Sequence, residues 1–204
     1  MKSPVPSLAP LLRSDAQGEL LALLLLHPEQ EFTLSEIARR IGVSLPTVHT
    51  EIGRLAVAGL LTDRRVGQAR LVRGCTDHVL YRPLAELLEL TYGPTAVLPD
   101  VLAILPDVQE AYVYGSWAAR RHGEPGPPPR DIDVVVIGHP TRDSLTAAGE
   151  DARRRLHREV NITRITPEVW QSEQDPFVRT LISRPLVALT LRPRSASTDD
   201  EEQQ

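Results

Sequence analysis

Asp131 and Asp133 stand one residue apart at the head of an apolar run, Val134-Val135-Val136-Ile137. Alternate side chains of a strand share a face, so both carboxylates point one way while Ile132, Val134 and Val136 point the other. Two acids side by side repel each other and cost stability. A divalent metal relieves that cost, and a pair at this spacing suits Mg²⁺ carrying a triphosphate. Upstream, Tyr112-Val113-Tyr114 reads as a strand that runs into a Gly115-Ser116 turn, with a helix expected from about Trp117. Between the turn and the acids, Gly123 to Pro129 is too rich in Pro and Gly for regular structure and reads as a surface loop.

The elements that position these residues must come from a chain of 204 residues, long enough for two small domains. Its apolar content is 41%, but only two Phe and two Trp are present, so the cores are built from Leu, Val, Ile and Ala. The net charge of −4 excludes a basic nucleic-acid coat. Lys2 is the sole lysine, and the abundance of Arg, Ala and Pro has the look of GC-rich coding, so Arg counts alone carry little weight. A single cysteine, Cys75, excludes an internal disulfide framework and a Cys-rich zinc site. The start lacks a signal-peptide apolar stretch, and Leu20–Leu26 is too short for a bilayer, which needs about 20 residues. The expectation is a cytoplasmic protein with no membrane partner.

The first domain is expected over residues 15–80, after a flexible arm over 1–14. An apolar helix from about Ala16 ends at His27-Pro28. Thr33 and Glu36 form a capping box for a second helix, with the Glu side chain reaching back to the cap, and Gly42 fits its C-terminal turn. Ser44 caps a third helix, with Pro46 in its first turn. Val48, Ile52 and Leu55 mark that helix's core side. Thr47, Thr50 and Arg54 fall on a separate polar face, suited to the DNA major groove. Leu60–Val72 reads as a hairpin about Gly67, and Arg64, Arg65, Arg70 and Arg73 make it locally basic, suited to phosphates.

Three short helices followed by a basic hairpin resemble a winged helix-turn-helix of the ArsR- and MarR-like regulators. The resemblance covers about residues 15–75 and is carried by Thr33 to Ile52. It implies double-stranded DNA as partner, with a winged helix used for protein contacts alone as the bland alternative. Metal-sensing relatives use Cys and His clusters; Cys75 and His27, His49 and His78 show no such spacing, so metal sensing is not expected. Residues 81–93 read as an amphipathic linker helix whose stripe of Leu84, Leu87, Leu88 and Thr91 packs on the core or serves a homodimer.

The second domain is expected over 94–194, with an acidic, disordered tail over 195–204. Residues 95–105 read as a helix broken by Pro99, Thr141 caps a long polar helix, and Glu159–Ile165 is a further strand. Residues 108–165 resemble the minimal nucleotidyltransferases of the DNA polymerase β superfamily: a Gly-Ser turn, a gap, then Asp-x-Asp on the next strand. The resemblance implies a two-domain α/β chain whose C-terminal domain is a small mixed sheet backed by helices. It implies Gly115, Ser116 and Arg120 on the phosphates of a nucleoside triphosphate. It implies Asp131 and Asp133 as Mg²⁺ ligands in two-metal transfer of a nucleotide to an acceptor hydroxyl of a protein, RNA or small molecule. A third carboxylate is expected on the later strand. The simplest alignment puts Asn161 there, while Glu159 lies on the same strand face and is the candidate for the catalytic acid. Three functions stand open: a DNA-binding regulator with an active nucleotidyltransferase domain; one whose domain is degenerate and acts as a nucleotide sensor or partner module; and a transferase whose winged helix binds RNA or a protein substrate.

Overall fold

The structure is a computed structural model that describes residues 12–191. The acidic tail, and the arm as far as residue 11, lie outside the described residues. The chain divides into two compact units, Met1–Val97 and Leu98–Gln204.

The first unit runs α1 (Asp15–Leu25), β1 (Phe32–Thr33), α2 (Leu34–Ile41), α3 (Leu45–Val57), β2 (Leu61–Val66), β3 (Ala69–Gly74) and α4 (Tyr81–Tyr92). Ser14, Thr33 and Ser44 cap the first three helices with their hydroxyls, and Gly42 ends α2 at φ +69°. The expected capping box is half formed. Thr33 Oγ1 accepts from the Glu36 N–H, but the Glu36 carboxylate turns to Arg40 instead of reaching back. An ion pair one turn along the helix outcompetes a bond to a neutral N–H. Strands order β1-β3-β2, all antiparallel, so β2 and β3 form a hairpin that β1 extends by two residues. Leu20, Leu23, Leu24 and Leu25 of α1 meet Phe32, Ile37, Val48 and Ile52 in the core. The helix expected as a linker, α4, contributes Leu88 to that core, and its Tyr81 hydroxyl donates to the Leu25 carbonyl. Helix, strand, helix, helix, hairpin is a winged-helix arrangement.

The division between the units falls inside α5 (Pro94–Leu102), which runs unbroken through Pro99. The proline removes one hydrogen-bond donor from a short helix, and the helix continues past it.

The second unit runs β4 (Val108–Tyr114), α6 (Gly115–Arg121), β5 (Asp131–Gly138), α7 (Arg142–Leu156), β6 (Glu159–Ile165), α8 (Pro167–Ser172), α9 (Pro176–Ile182) and β7 (Val187–Ala188). The sheet is mixed, ordered β6-β5-β4-β7: β5 runs parallel to β6 and antiparallel to β4, and β4 runs antiparallel to β7. One face packs Val135, Ile137 and Ile165 against Val178 and Leu181 of α9, with Tyr112, Tyr114 and Trp170 at the margin. On the other face Val134 and Val136 are fully buried, and Gly149 of α7 lies against Val160 and Ile162. β5 is apolar on both faces beyond Asp133, which requires a central strand covered on each side.

Candidate functional site

The strand register assembles the polar end of the sheet. Asp133 sits opposite Tyr114 on β4 and Asn161 on β6, and Asp131 sits opposite Glu159. By alternation these five side chains share one face. The aspartates are half-buried and Asn161 is exposed. The Asn161 amide bridges the pair: Nδ2 donates to Asp131 Oδ2 at 3.2 Å and to Asp133 Oδ1 at 3.0 Å. Gly115 adopts φ +73°, and a Cβ built on it would lie 2.6 Å from Asp133 Oδ2. Glycine is thus demanded twice, by the left-handed backbone and by the carboxylate against it. Ser116 is exposed at the start of α6.

The other expected site residues lie elsewhere. The Arg120 guanidinium donates to the Glu124 carbonyl at 2.5 Å and packs against Gly126, so it fastens the Pro/Gly-rich loop back onto α6. Glu159 turns toward α7, where its carboxylate lies 3.7 Å from Arg153. An open groove of about 450 Å³ between α7 and β6 is lined by Arg142, Arg153, Glu159 and Asn161 among others. Sequence reasoning missed Tyr114 and Phe177. The Tyr114 ring meets Phe177 edge-on at 6.0 Å. Burial pushes its phenol above the ordinary tyrosine range, a hydrogen bond with Thr163 opposes that, and the charges of Asp133 and Asp131 add to the rise. The position before Gly115 was a usable signal for Tyr114; nothing in the sequence linked Phe177 to the acids.

The donor set fits one Mg²⁺ and not a three-carboxylate centre. Mg²⁺ is commonly held by one or two carboxylates together with phosphate oxygens and water, and Asp131 with Asp133 supplies two. Among the described residues no group of three or more His, Cys, Asp or Glu side chains is placed to hold a metal ion.

In the first unit, Thr47, Thr50 and Arg54 lie exposed on α3, opposite the buried Val48, Ile52 and Leu55. Their polar groups already have partners. The Thr47 hydroxyl bonds Ser44, Thr50 donates to the Pro46 carbonyl, and Arg54 pairs with Glu51 at 2.7 Å. On the hairpin, Arg64 forms a forked pair with Glu31 at 2.8 and 2.5 Å, and Arg70 pairs with Asp63 at 2.8 Å. The fork holds the Glu31 carboxyl below the usual carboxylate range and raises Arg64. Arg65 stands directly opposite Arg70, a like-charged arrangement that costs the hairpin stability. Among the described residues the Arg65 side chain has no hydrogen bond or ion pair.

No family model matches the chain, and no curated protein matches it. Solved structures similar to it include MepR, a transcription regulator of the Staphylococcus aureus multidrug efflux pump MepA. That match has 22% identity and TM-score 0.33, over 40% of this chain and 58% of that one. A mutant of Lactococcus lactis ZitR in complex with DNA is similar at 21% identity and TM-score 0.32, over 42% and 58%. The chain thus spans under two thirds of the length of these proteins.

Gly115→Ala is expected to destabilise the second unit by about 2–3 kcal/mol, from the left-handed backbone plus displacement of the Asp133 carboxylate. Both tryptophans, Trp117 and Trp170, lie in this unit, so their fluorescence in a urea titration reports it alone. An unchanged midpoint would show that the turn tolerates a side chain and that the glycine has no structural role.

Proposed function

We propose that the chain is a DNA-binding transcription regulator of the bacterial winged-helix type, acting as a homodimer, whose second unit binds a magnesium–nucleoside triphosphate. The DNA reading rests on one observation: α3 offers Thr47, Thr50 and Arg54 on its exposed face, and the hairpin beyond it carries Arg64, Arg65 and Arg70. A helix of this kind suits the major groove, and a basic hairpin suits the flanking phosphates. Dimerisation is supported by α4. Leu84 and Leu88 turn to the core, while Leu80, Leu87 and Leu90 stay exposed on another face, Leu90 at 64%. A second copy of the same helix covers such a face by two-fold symmetry.

The nucleotide reading rests on Asp133 lying against Gly115 of the Gly115-Ser116 turn, with Asp131 on the same strand face. Bound at the two carboxylates, the ion supplies positive charge for a triphosphate. Gly115 leaves the space that the Asp133 carboxylate occupies, and the exposed Ser116 hydroxyl is free to meet a phosphate. Transfer to an acceptor hydroxyl of a protein, RNA or small molecule also needs a group to take the hydroxyl proton. Asn161 cannot accept one, and Glu159 is turned to Arg153. That observation favours a second reading, in which transfer is lost and the unit acts as a nucleotide sensor or partner module.

Arg65→Ala should weaken binding to all duplex DNA and lower the slope of log affinity on log salt by about 0.9, the value of one phosphate contact. Arg54→Ala should weaken a specific operator more than random DNA. If both variants bind like the parent across salt concentrations, the DNA reading fails. The Leu87→Glu/Leu90→Glu variant should run as a monomer by light scattering at a concentration where the parent is a dimer; a monomeric parent sinks the dimer. Mg²⁺ with one of the ribonucleoside triphosphates should raise the parent's melting temperature, by about 2.7 kcal/mol of stabilisation at a hundredfold excess over the dissociation constant. The rise should vanish in Asp131→Ala/Asp133→Ala. No rise with any nucleotide leaves a plain DNA-binding regulator.

A further inference from the structure

We infer that Asn161 is a positioning residue that takes the place of a cation between Asp131 and Asp133, and thereby keeps divalent-ion binding there weak. The inference deepens the reading of the two aspartates as magnesium ligands. Parallel pairing of β5 with β6 puts Asn161 directly opposite Asp133, on the face that both acids share. Both aspartates accept from its Nδ2, so the side chain spans the gap that charge repulsion would otherwise widen. Among the described residues neither aspartate has an ion pair, Arg153 faces Glu159, and Arg120 is engaged with the loop carbonyl of Glu124.

An amide differs from a carboxylate in two ways that matter here. It is neutral, so the cluster carries two formal negative charges where a third acid would give three. It also presents donors on one edge and an acceptor on the other. Facing two carboxylates, the NH₂ edge is attractive and the oxygen edge repulsive. Facing a cation, the preference reverses. An ion can therefore share the two aspartates with Asn161 only after the amide gives up both hydrogen bonds and turns over or withdraws. The bridge competes with the ion, and the neutral oxygen offered in exchange is a weaker ligand than a carboxylate. Glu159 does not supply the missing charge, because it is turned away to Arg153.

The test uses Mn²⁺ alone, without nucleotide, on the full chain. Calorimetric titration compares the parent with Asn161→Asp, and melting in EDTA compares the parent with Asn161→Asp and Asn161→Ala. Asn161→Asp should bind Mn²⁺ at least tenfold more tightly than the parent. In EDTA it should melt below the parent, because the bridge has become a third repelling charge, and saturating Mn²⁺ should reverse that loss. Asn161→Ala should also melt below the parent in EDTA, because the pair is left unbridged. If Asn161→Asp is unfolded in EDTA, recovery of native tryptophan fluorescence on adding Mn²⁺ supports the inference, and failure to recover overturns it. Equal Mn²⁺ affinity in Asn161→Asp and the parent overturns it, as does an unchanged melting temperature of Asn161→Ala in EDTA. A parent that ignores every nucleoside triphosphate defeats the nucleotide reading but leaves this metal-only comparison intact.

Discussion

Two carboxylates on one face of the central strand repel each other, and the second unit is arranged around that repulsion. The rest of β5 is buried on both faces, so the strand cannot move to an edge where water would screen the acids. The acids are confined to its first residues, where the sheet ends and α6 begins. Everything that touches them there is shaped to them. Gly115 has no side chain because the Asp133 carboxylate fills that space, and Asn161 turns its donor edge inward to hold the pair together. Tyr114 lies opposite Asp133 in the register; burial raises its phenol first, and the charges of the two acids add to that rise.

The first unit handles excess charge of the opposite sign in a similar way. Arg54, Arg64 and Arg70 each meet a carboxylate of their own unit, from Glu51, Glu31 and Asp63. Exposed pairs of this type contribute little to stability, so a phosphate that replaces the acid faces a small barrier. On the proposed DNA reading, binding at these positions would exchange one anion for another. Arg65 differs, since it stands opposite Arg70 across the hairpin and, among the described residues, has no acid paired with it. A net charge of −4 for the whole chain hides this local pattern, which appears only when each arginine is placed beside its neighbours.

Most elements were legible in the sequence because their signals are local. Ser44 before Pro46, Gly42 after Ile41 and Thr141 before a polar run mark helix ends by hydrogen bonding and backbone freedom, and the structure has caps at each. The spacing of Val48, Ile52 and Leu55 picked out the buried side of α3, and the strand Glu159–Ile165 has the expected bounds. Long-range features were not legible. β1 and β7 have two residues each, too few to show alternation, and exist because a longer strand pairs with them. Glu36 chose Arg40 over its own cap, a competition between bonds that motif spacing does not weigh. At the candidate site the sequence located Asp131, Asp133 and the choice between Glu159 and Asn161. The register then put Asn161 on the pair and left Glu159 with Arg153, which depends on where a neighbouring helix sets its arginine.

Asparagine and aspartate have nearly the same shape, and their codons differ by a single base. The bridge at Asn161 therefore stands one point mutation away from a site with three carboxylates on adjoining strands, with no change required in the register, in Gly115 or in the length of any loop. On the inference drawn above, that single change would alter the charge of the cluster while the backbone around it stays the same.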